Sequence, residues 1–242
     1  MEAALRKDWL SLKNCGLELE STTSKGMPVI DMYADVWEFN DAGGVRMAMP
    51  GSKFTYLPYL DACAALDLVS EEFEELKLAL AVNDVPEIAD AIVDSIYTVM
   101  GIATRLGETK VPRKLKNQPA QHILDVYSRA HARRWGDWLD KAESDLLRTV
   151  AIPYGDKSLT AEIAIRQAVM TLEGIALHFR FPMETLWKLV HQSNMSKRDP
   201  ETGKFVWNEA RTKIIKPKGW LGKPDIAEAL NNHELDLANF PF

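Results

Sequence analysis

The sequence predicts an all-α protein, an antiparallel helical bundle, and three observations carry that expectation. Apolar residues recur at helical spacing through Leu66, Val69, Phe73, Leu76 and Leu80, and again through Ile88, Ile92, Ile96 and Val99. Asn83-Asp84-Val85-Pro86 interrupts the first run and Gly107 ends the second, so the stretch reads as two helices joined by a tight turn. The helical pattern then returns over 124–150 and 159–179.

Totals bound what such a bundle is for. A chain of 242 residues with 46% hydrophobic content suits one large domain or two small ones and is enough to bury a core. No apolar run is long enough to span a bilayer, and the start MEAALRKDWL lacks a signal-peptide core, so a cytoplasmic protein without membrane contact is expected. A net charge of −6 and a pI near 5.5 argue against general nucleic-acid binding. Cys15 and Cys63 stand in unrelated contexts without metal-ligand spacing and are expected as free thiols.

In chain order, residues 5–12 suggest a short helix, followed by an irregular polar stretch to Gly26. From Pro28 to Asp41, Ile30, Tyr33, Val36, Trp37 and Phe39 predict a helix ended by Gly43-Gly44; its aromatic stripe is read as core before it is read as a base platform. A loop over 49–58 leads into the first helix of the central pair. Beyond the two later helical runs, Phe181-Pro182-Met183 opens a last helix through Val190. The chain then turns extended and basic, with Lys197, Arg198, Lys204, Arg211, Lys213, Lys216 and Lys218 close together. A small hairpin is expected within 205–215, and 231–242 reads as loosely attached.

The chemistry is concentrated in the central pair. From Glu71 to Asp94 eight acids stand against one base, Lys77, so this stretch alone is −7. Glu71, Glu72 and Glu75 are three and four apart on the first helix; Glu87, Asp90 and Asp94 form a stripe at i, i+3 and i+7 on the second. Asp84-x-x-Glu87 has the form of a capping box, which gives Glu87 a structural role. Asp90 and Asp94 lack that excuse: Asp is a poor mid-helix residue, and no Lys or Arg stands between Asn83 and Met100. Two acidic stripes facing one cleft need a counter-charge, and Mg²⁺ or Mn²⁺, which take oxygen ligands and bridge carboxylates to phosphates, supply it best.

The Glu-Glu-x-x-Glu of Glu71, Glu72 and Glu75, followed by Glu87-Ile-Ala-Asp90-Ala-Ile-Val-Asp94-Ser-Ile-Tyr97, resembles the all-α nucleoside triphosphate pyrophosphohydrolases of the MazG-like and phosphoribosyl-ATP pyrophosphohydrolase-like superfamily. A second block, His191-Gln-Ser-Asn194-Met-Ser-Lys197 with Gly203-Lys204, Lys213-Ile-Ile-Lys216-Pro217 and Pro224-Asp225-Ile226, is similar to the tail of the phage-type branch. The resemblance implies metal-dependent hydrolysis of a nucleoside triphosphate to the monophosphate and pyrophosphate. It implies Glu72, Glu75, Asp90 and Asp94 as metal ligands, with Glu87 the alternative to Asp90, because Ala91 stands where many relatives carry Glu. It implies Glu71 as the residue that orients or deprotonates water, and Asn194, Lys197, Tyr97 and Lys216 as substrate contacts. A homo-oligomer is the expected assembly. A catalytically silent nucleotide-binding protein and a phosphoribosyl-ATP pyrophosphohydrolase are the alternatives.

The roughly eighty residues between the two blocks read as a worn second copy of the core. A shift of 73 residues sets Leu66-Asp67 on Leu139-Asp140, Glu72 on Asp145, and Gly101-Ile102-Ala103 on Gly174-Ile175-Ala176. Glu71, Glu75, Asp90 and Asp94 fall on Ser144, Arg148, Ile163 and Gln167, so the copy has lost its ligands. The expected organisation is therefore a catalytic core within 1–107, a degenerate repeat over 108–190 completing a pseudo-dimer, and a C-terminal extension over 191–242. Arg129, Arg133, Arg134, Arg148 and Arg166 are offered as further phosphate contacts, though most are expected to be surface charges, and Trp135 and Trp138 are expected to be packing anchors.

Overall fold

The computed structural model describes residues 30–51, 57–114, 134–151, 160–209 and 214–233. The expected helix over 5–12, Cys15, Arg129, Arg133, Arg211, Lys213 and the chain after 233 lie outside the described residues.

Helix α1, Met32–Ala42, begins where Asp31 Oδ1 accepts from the amide of Ala34 at 3.1 Å and ends at Gly43 and Gly44, the latter at φ +62°. Helix α2, Tyr59–Val82, and helix α3, Val85–Leu106, form the central hairpin. Their connection is two residues long: Asn83 caps α2 in the left-handed region, and the Asp84 carboxylate accepts from the amide of Glu87 to start α3. Asn adopts that backbone at lower cost than most side chains, which is why the turn is so short. The capping box is half made, since the Asp84 amide donates to Ala79 O at 3.0 Å rather than to Glu87.

Helix α3 is the axis of the molecule. Fourteen of its 22 residues are buried, so it is a core helix and not a surface one. Helices α1 and α2, then α5 (Ala161–His178), α6 (Met183–Met195) and α7 (Ile226–Asn231), all pack on it. Helix α4, Trp135–Val150, pairs with α5 and lies against α2. Ile88, Ile92, Ile96, Val99 and Ile102 are fully buried and form one core with Val69, Phe73, Leu139, Ile165, Leu172 and Leu186. Trp135 is a packing anchor, set edge-on to His178 and tilted against Phe179. Trp138 packs on the same core. Tyr33 and Val36 of α1 are core residues, as the stripe predicts.

One boundary differs from the sequence reading. The last long helix does not stop at Val190 but runs to Met195, which puts His191 and Asn194 on the helix one and two turns beyond Trp187. Ser193 and Asn194 read locally as a helix stop because their side chains compete with the backbone. Burial of Val190 and Ser193, with Ser193 Oγ donating to Gly222 O at 2.6 Å, carries the helix through them. The expected hairpin is present as a two-residue antiparallel ladder, Val206 opposite Ile215 and Trp207 opposite Ile214. Among the described residues no helix is long and apolar enough to cross a membrane, and Cys63 is a free thiol.

Candidate active site

Helix α2 buries Val69, Phe73 and Leu76, and Glu72, three residues after the first and four before the last, rides on the inner edge of that face. Glu71 and Glu75 lie on the outer edge and are exposed; Glu72 is only partly so. On α3, Asp90, Asp94 and Tyr97 fall at i, i+4 and i+7, with Asp90 and Asp94 partly buried and Tyr97 buried. Their charges meet across the hairpin. Burial first, then Asp94, Glu75, Glu71 and Asp90, push the Glu72 carboxyl up to about 8. Burial and then Asp90 push Asp94 up to about 7, against the pull of Lys197. Asp90 is raised as well, by burial and by Glu87 and Glu75, with Lys223 opposing. Glu87 is exposed in the first turn of α3, and its charge reaches Asp90.

The second chemical face comes from the C-terminal part of the chain. Lys197, partly buried just past α6, has its pKa lowered by burial; Asp94 and Glu72 act on it from one side and Lys216 and Lys223 from the other. Its Nζ donates to Asn194 Oδ1 at 2.7 Å. Lys216 Nζ sits 3.7 Å over the ring of Trp220. The segment between them and α7 is pinned to the end of α6, where Gly222 O accepts from Ser193 and the amide of Leu221 donates to Ser196 Oγ at 3.2 Å. Buried Ile226 and Leu230 then hold α7 down on the core. The result is that Lys197 and Lys223 lie within electrostatic reach of the carboxylates, with Lys216 beside Lys197. Lys223 was not singled out in the sequence, because it lies past the basic cluster and only tertiary packing brings it back to Asp90 and Asp94.

Other charges of the basic stretch go elsewhere. Arg198 pairs with Glu38 at 2.7 Å and Lys204 with Asp41 at 3.0 Å, both on α1. Arg166 is bonded to Lys110 O and to Glu162. Arg134 and Arg148 are exposed.

Do the carboxylates suit a cation? Glu72 Oε2 is buried without a hydrogen-bond partner, and the acids that act on it are hard oxygen donors of the kind that suits Mg²⁺ or Mn²⁺, but among the described residues no three of them bring oxygens within 4.8 Å of one another. The described carboxylates that do are Glu74, Asp140 and Glu143. That trio already has its cation. Lys77 Nζ lies 2.6 Å from Glu74, 2.6 Å from Asp140 and 3.8 Å from Glu143.

The arrangement is an acidic cluster on an all-α hairpin with Lys197 and Lys223 in electrostatic reach of it. Residues 52–109, which contain α2 and α3, match the family model of phosphoribosyl-ATP pyrophosphohydrolase, a family of the MazG-like all-α superfamily whose members hydrolyse phosphoric anhydride bonds. Neither a curated protein nor a solved structure matches the chain.

Proposed function

We propose that the chain hydrolyses a nucleoside triphosphate, preferentially a deoxynucleotide, between the α and β phosphates, releasing the monophosphate and pyrophosphate in pool sanitation or in phage nucleotide metabolism. The observation that carries this reading is the pair Glu72 and Asp94: carboxylates on the two helices of the hairpin, both driven up by burial and by neighbouring acids, with Lys197 within electrostatic reach of both. Glu72, Glu75, Asp90 and Asp94 hold Mg²⁺ or Mn²⁺; Glu87, in the first turn, is the alternative to Asp90. When bound, the ion neutralises phosphate charge and acidifies water. Lys197 and Lys216 bind phosphate oxygens, and Asn194 and Tyr97 orient the sugar or base. Glu71, exposed beside Glu72, accepts the proton of the attacking water.

The family matched by 52–109 favours a second reading, phosphoribosyl-ATP as substrate. The second hairpin, α4 and α5, is a degenerate copy of the first, supported by the contact of Ser70 with Glu143, residues 73 apart. Each chain then carries one live site. Leu60, Leu78 and Val82, exposed on α2, leave apolar surface for a second copy of the chain.

The test is a panel of dNTPs, NTPs, dUTP and phosphoribosyl-ATP, run with Mg²⁺ and with Mn²⁺, scoring pyrophosphate against single phosphate. Pyrophosphate from one deoxynucleotide bears the proposal out. Turnover of phosphoribosyl-ATP alone selects the second reading, and no product from any of them leaves a nucleotide-binding protein.

A further inference from the structure

Beside the carboxylates runs a chain of polar side chains in which Lys197, Asn194 and Tyr97 already serve the proposed reaction, whereas His191 and Asp35 have no part in it. Its members come from three elements: Lys197 and Asn194 at the end of α6, Tyr97 on α3, His191 back on α6, and Asp35 on α1. Lys197 Nζ is 2.7 Å from Asn194 Oδ1 and Tyr97 Oη is 3.0 Å from His191 Nδ1, while the Asn194 side chain, between them, acts on Tyr97 as a donor that pulls the phenol pKa down. His191 Nε2 is 4.0 Å from Asp35 Oδ1, and the other Asp35 oxygen accepts from Trp187 Nε1 at 2.8 Å.

The direction of every hydrogen follows from what each group can do. An ammonium only donates, so the Asn194 atom facing Lys197 is the carbonyl oxygen, and Asn194 lowers the Tyr97 pKa, as a donor to the phenol oxygen does, which assigns the amide nitrogen to Tyr97. The Tyr97 oxygen therefore accepts from Asn194, and its own hydrogen goes to His191. That in turn requires His191 Nδ1 to be bare, which puts the ring hydrogen on Nε2, toward Asp35. Burial lowers the His191 pKa against the opposing pull of Asp35 and so favours the neutral ring this requires.

We propose that His191 is a positioning residue, which through the Tyr97 hydroxyl and the Asn194 amide fixes the Lys197 ammonium for phosphate binding and ties that contact to Asp35 on α1. The inference rests on the reading of the site as one for a triphosphate. A lysine side chain held by one acceptor keeps two N–H donors for phosphate oxygens and loses less rotamer freedom on binding. Tyr97 is itself clamped, edge-on to Phe39 and 5.2 Å from the ring of Trp187, so a change at His191 is passed on to Asn194 rather than absorbed by a swing of the phenol.

Three measurements on the full chain test it. In wild-type protein labelled with ¹⁵N-histidine, His191 Nδ1 should give the signal of a bare, pyridine-type nitrogen; a protonated Nδ1 overturns the proposal. In the presence of Mg²⁺, inorganic tripolyphosphate should bind wild type, and His191→Phe should weaken that binding about tenfold, the scale of one lost hydrogen bond acting on a charged group. His191→Asn, whose side-chain oxygen can replace Nδ1 as acceptor, should stay within about threefold of wild type, because it restores that one hydrogen bond. Where turnover is measured, the His191→Phe loss should fall on KM and not on kcat. Equal loss in both variants, no loss in either, or no tripolyphosphate binding by wild type overturns it. Neither the nitrogen signal nor tripolyphosphate binding needs turnover, so a wild type that binds and does not hydrolyse sinks the proposed reaction and leaves the relay standing.

Discussion

A carboxylate that loses water without gaining a hydrogen bond can be relieved by a proton or by a cation, and Glu72 is in that position. The two compete, and this sets the pH dependence of the metal-free protein. Between the ordinary Glu value of 4.5 and about 8, the folded chain holds a proton on Glu72 that the unfolded chain has released. Asp94 behaves alike up to about 7. The native state thus binds more protons than the unfolded state, and stability falls as pH rises through that window. The melting temperature in chelator should therefore drop from pH 5 to pH 8, and Mg²⁺ or Mn²⁺ should restore it, most strongly at the upper end. Glu72→Gln should flatten the chelator profile and abolish the metal-induced rise; a Glu72→Gln profile as steep as wild type would remove this account. The acids themselves were legible in the sequence, because mid-helix Asp without a basic neighbour is locally unfavourable. Their split into inner Glu72 and outer Glu71 and Glu75 was not, since it depends on which face α3 covers.

At the scale of elements, the central hairpin was legible almost to the residue because its turn is specified locally. Asn83 takes the left-handed cap, Asp84 accepts from the Glu87 amide, and Pro86 sits in the first turn of α3, where its missing N–H has no helical partner to lose. Asp84→Ala removes that cap and should cost about 1 kcal/mol in thermal or denaturant unfolding. Asn83→Gly, which keeps the left-handed geometry available, should change stability by a few tenths of a kcal/mol at most. A neutral Asp84→Ala would mean that packing of α3 alone sets where the helix starts. The end of α6 was misread for the opposite reason. Little local preference carries a helix through Ser193-Asn194; Gly222 and the core hold it there, and the sequence carries no record of that contact. Asp35 stayed hidden for a similar cause, as one acid in a helix otherwise read as core, whose partners Trp187 and His191 lie more than 150 residues away.

Across the whole molecule, the proposed duplication carries a geometric expectation, that a residue and its image meet on the axis relating the two hairpins. A two-fold axis that carries residue i onto residue i+73 lets a residue touch its own image only at the axis, and Ser70 touches Glu143 where α2 crosses α4. The two halves differ where chemistry does. Lys77 bridges to Asp140 and Glu143, whereas its image is Val150. Glu72 keeps a buried oxygen without a partner, whereas its image Asp145, also buried, is held by Lys141 Nζ at 2.6 Å. A permanent in-chain cation on Asp145, with Arg148 where Glu75 stands, leaves the second hairpin nothing to offer a divalent ion. Calorimetry with Mg²⁺ and a nucleotide whose α–β bridge resists hydrolysis should therefore saturate at one nucleotide per chain, and Asp94→Asn should abolish that binding event rather than halve it. Two nucleotides per chain, or half the binding left in Asp94→Asn, would show that the second hairpin is live and that the loss of its ligands has been misjudged.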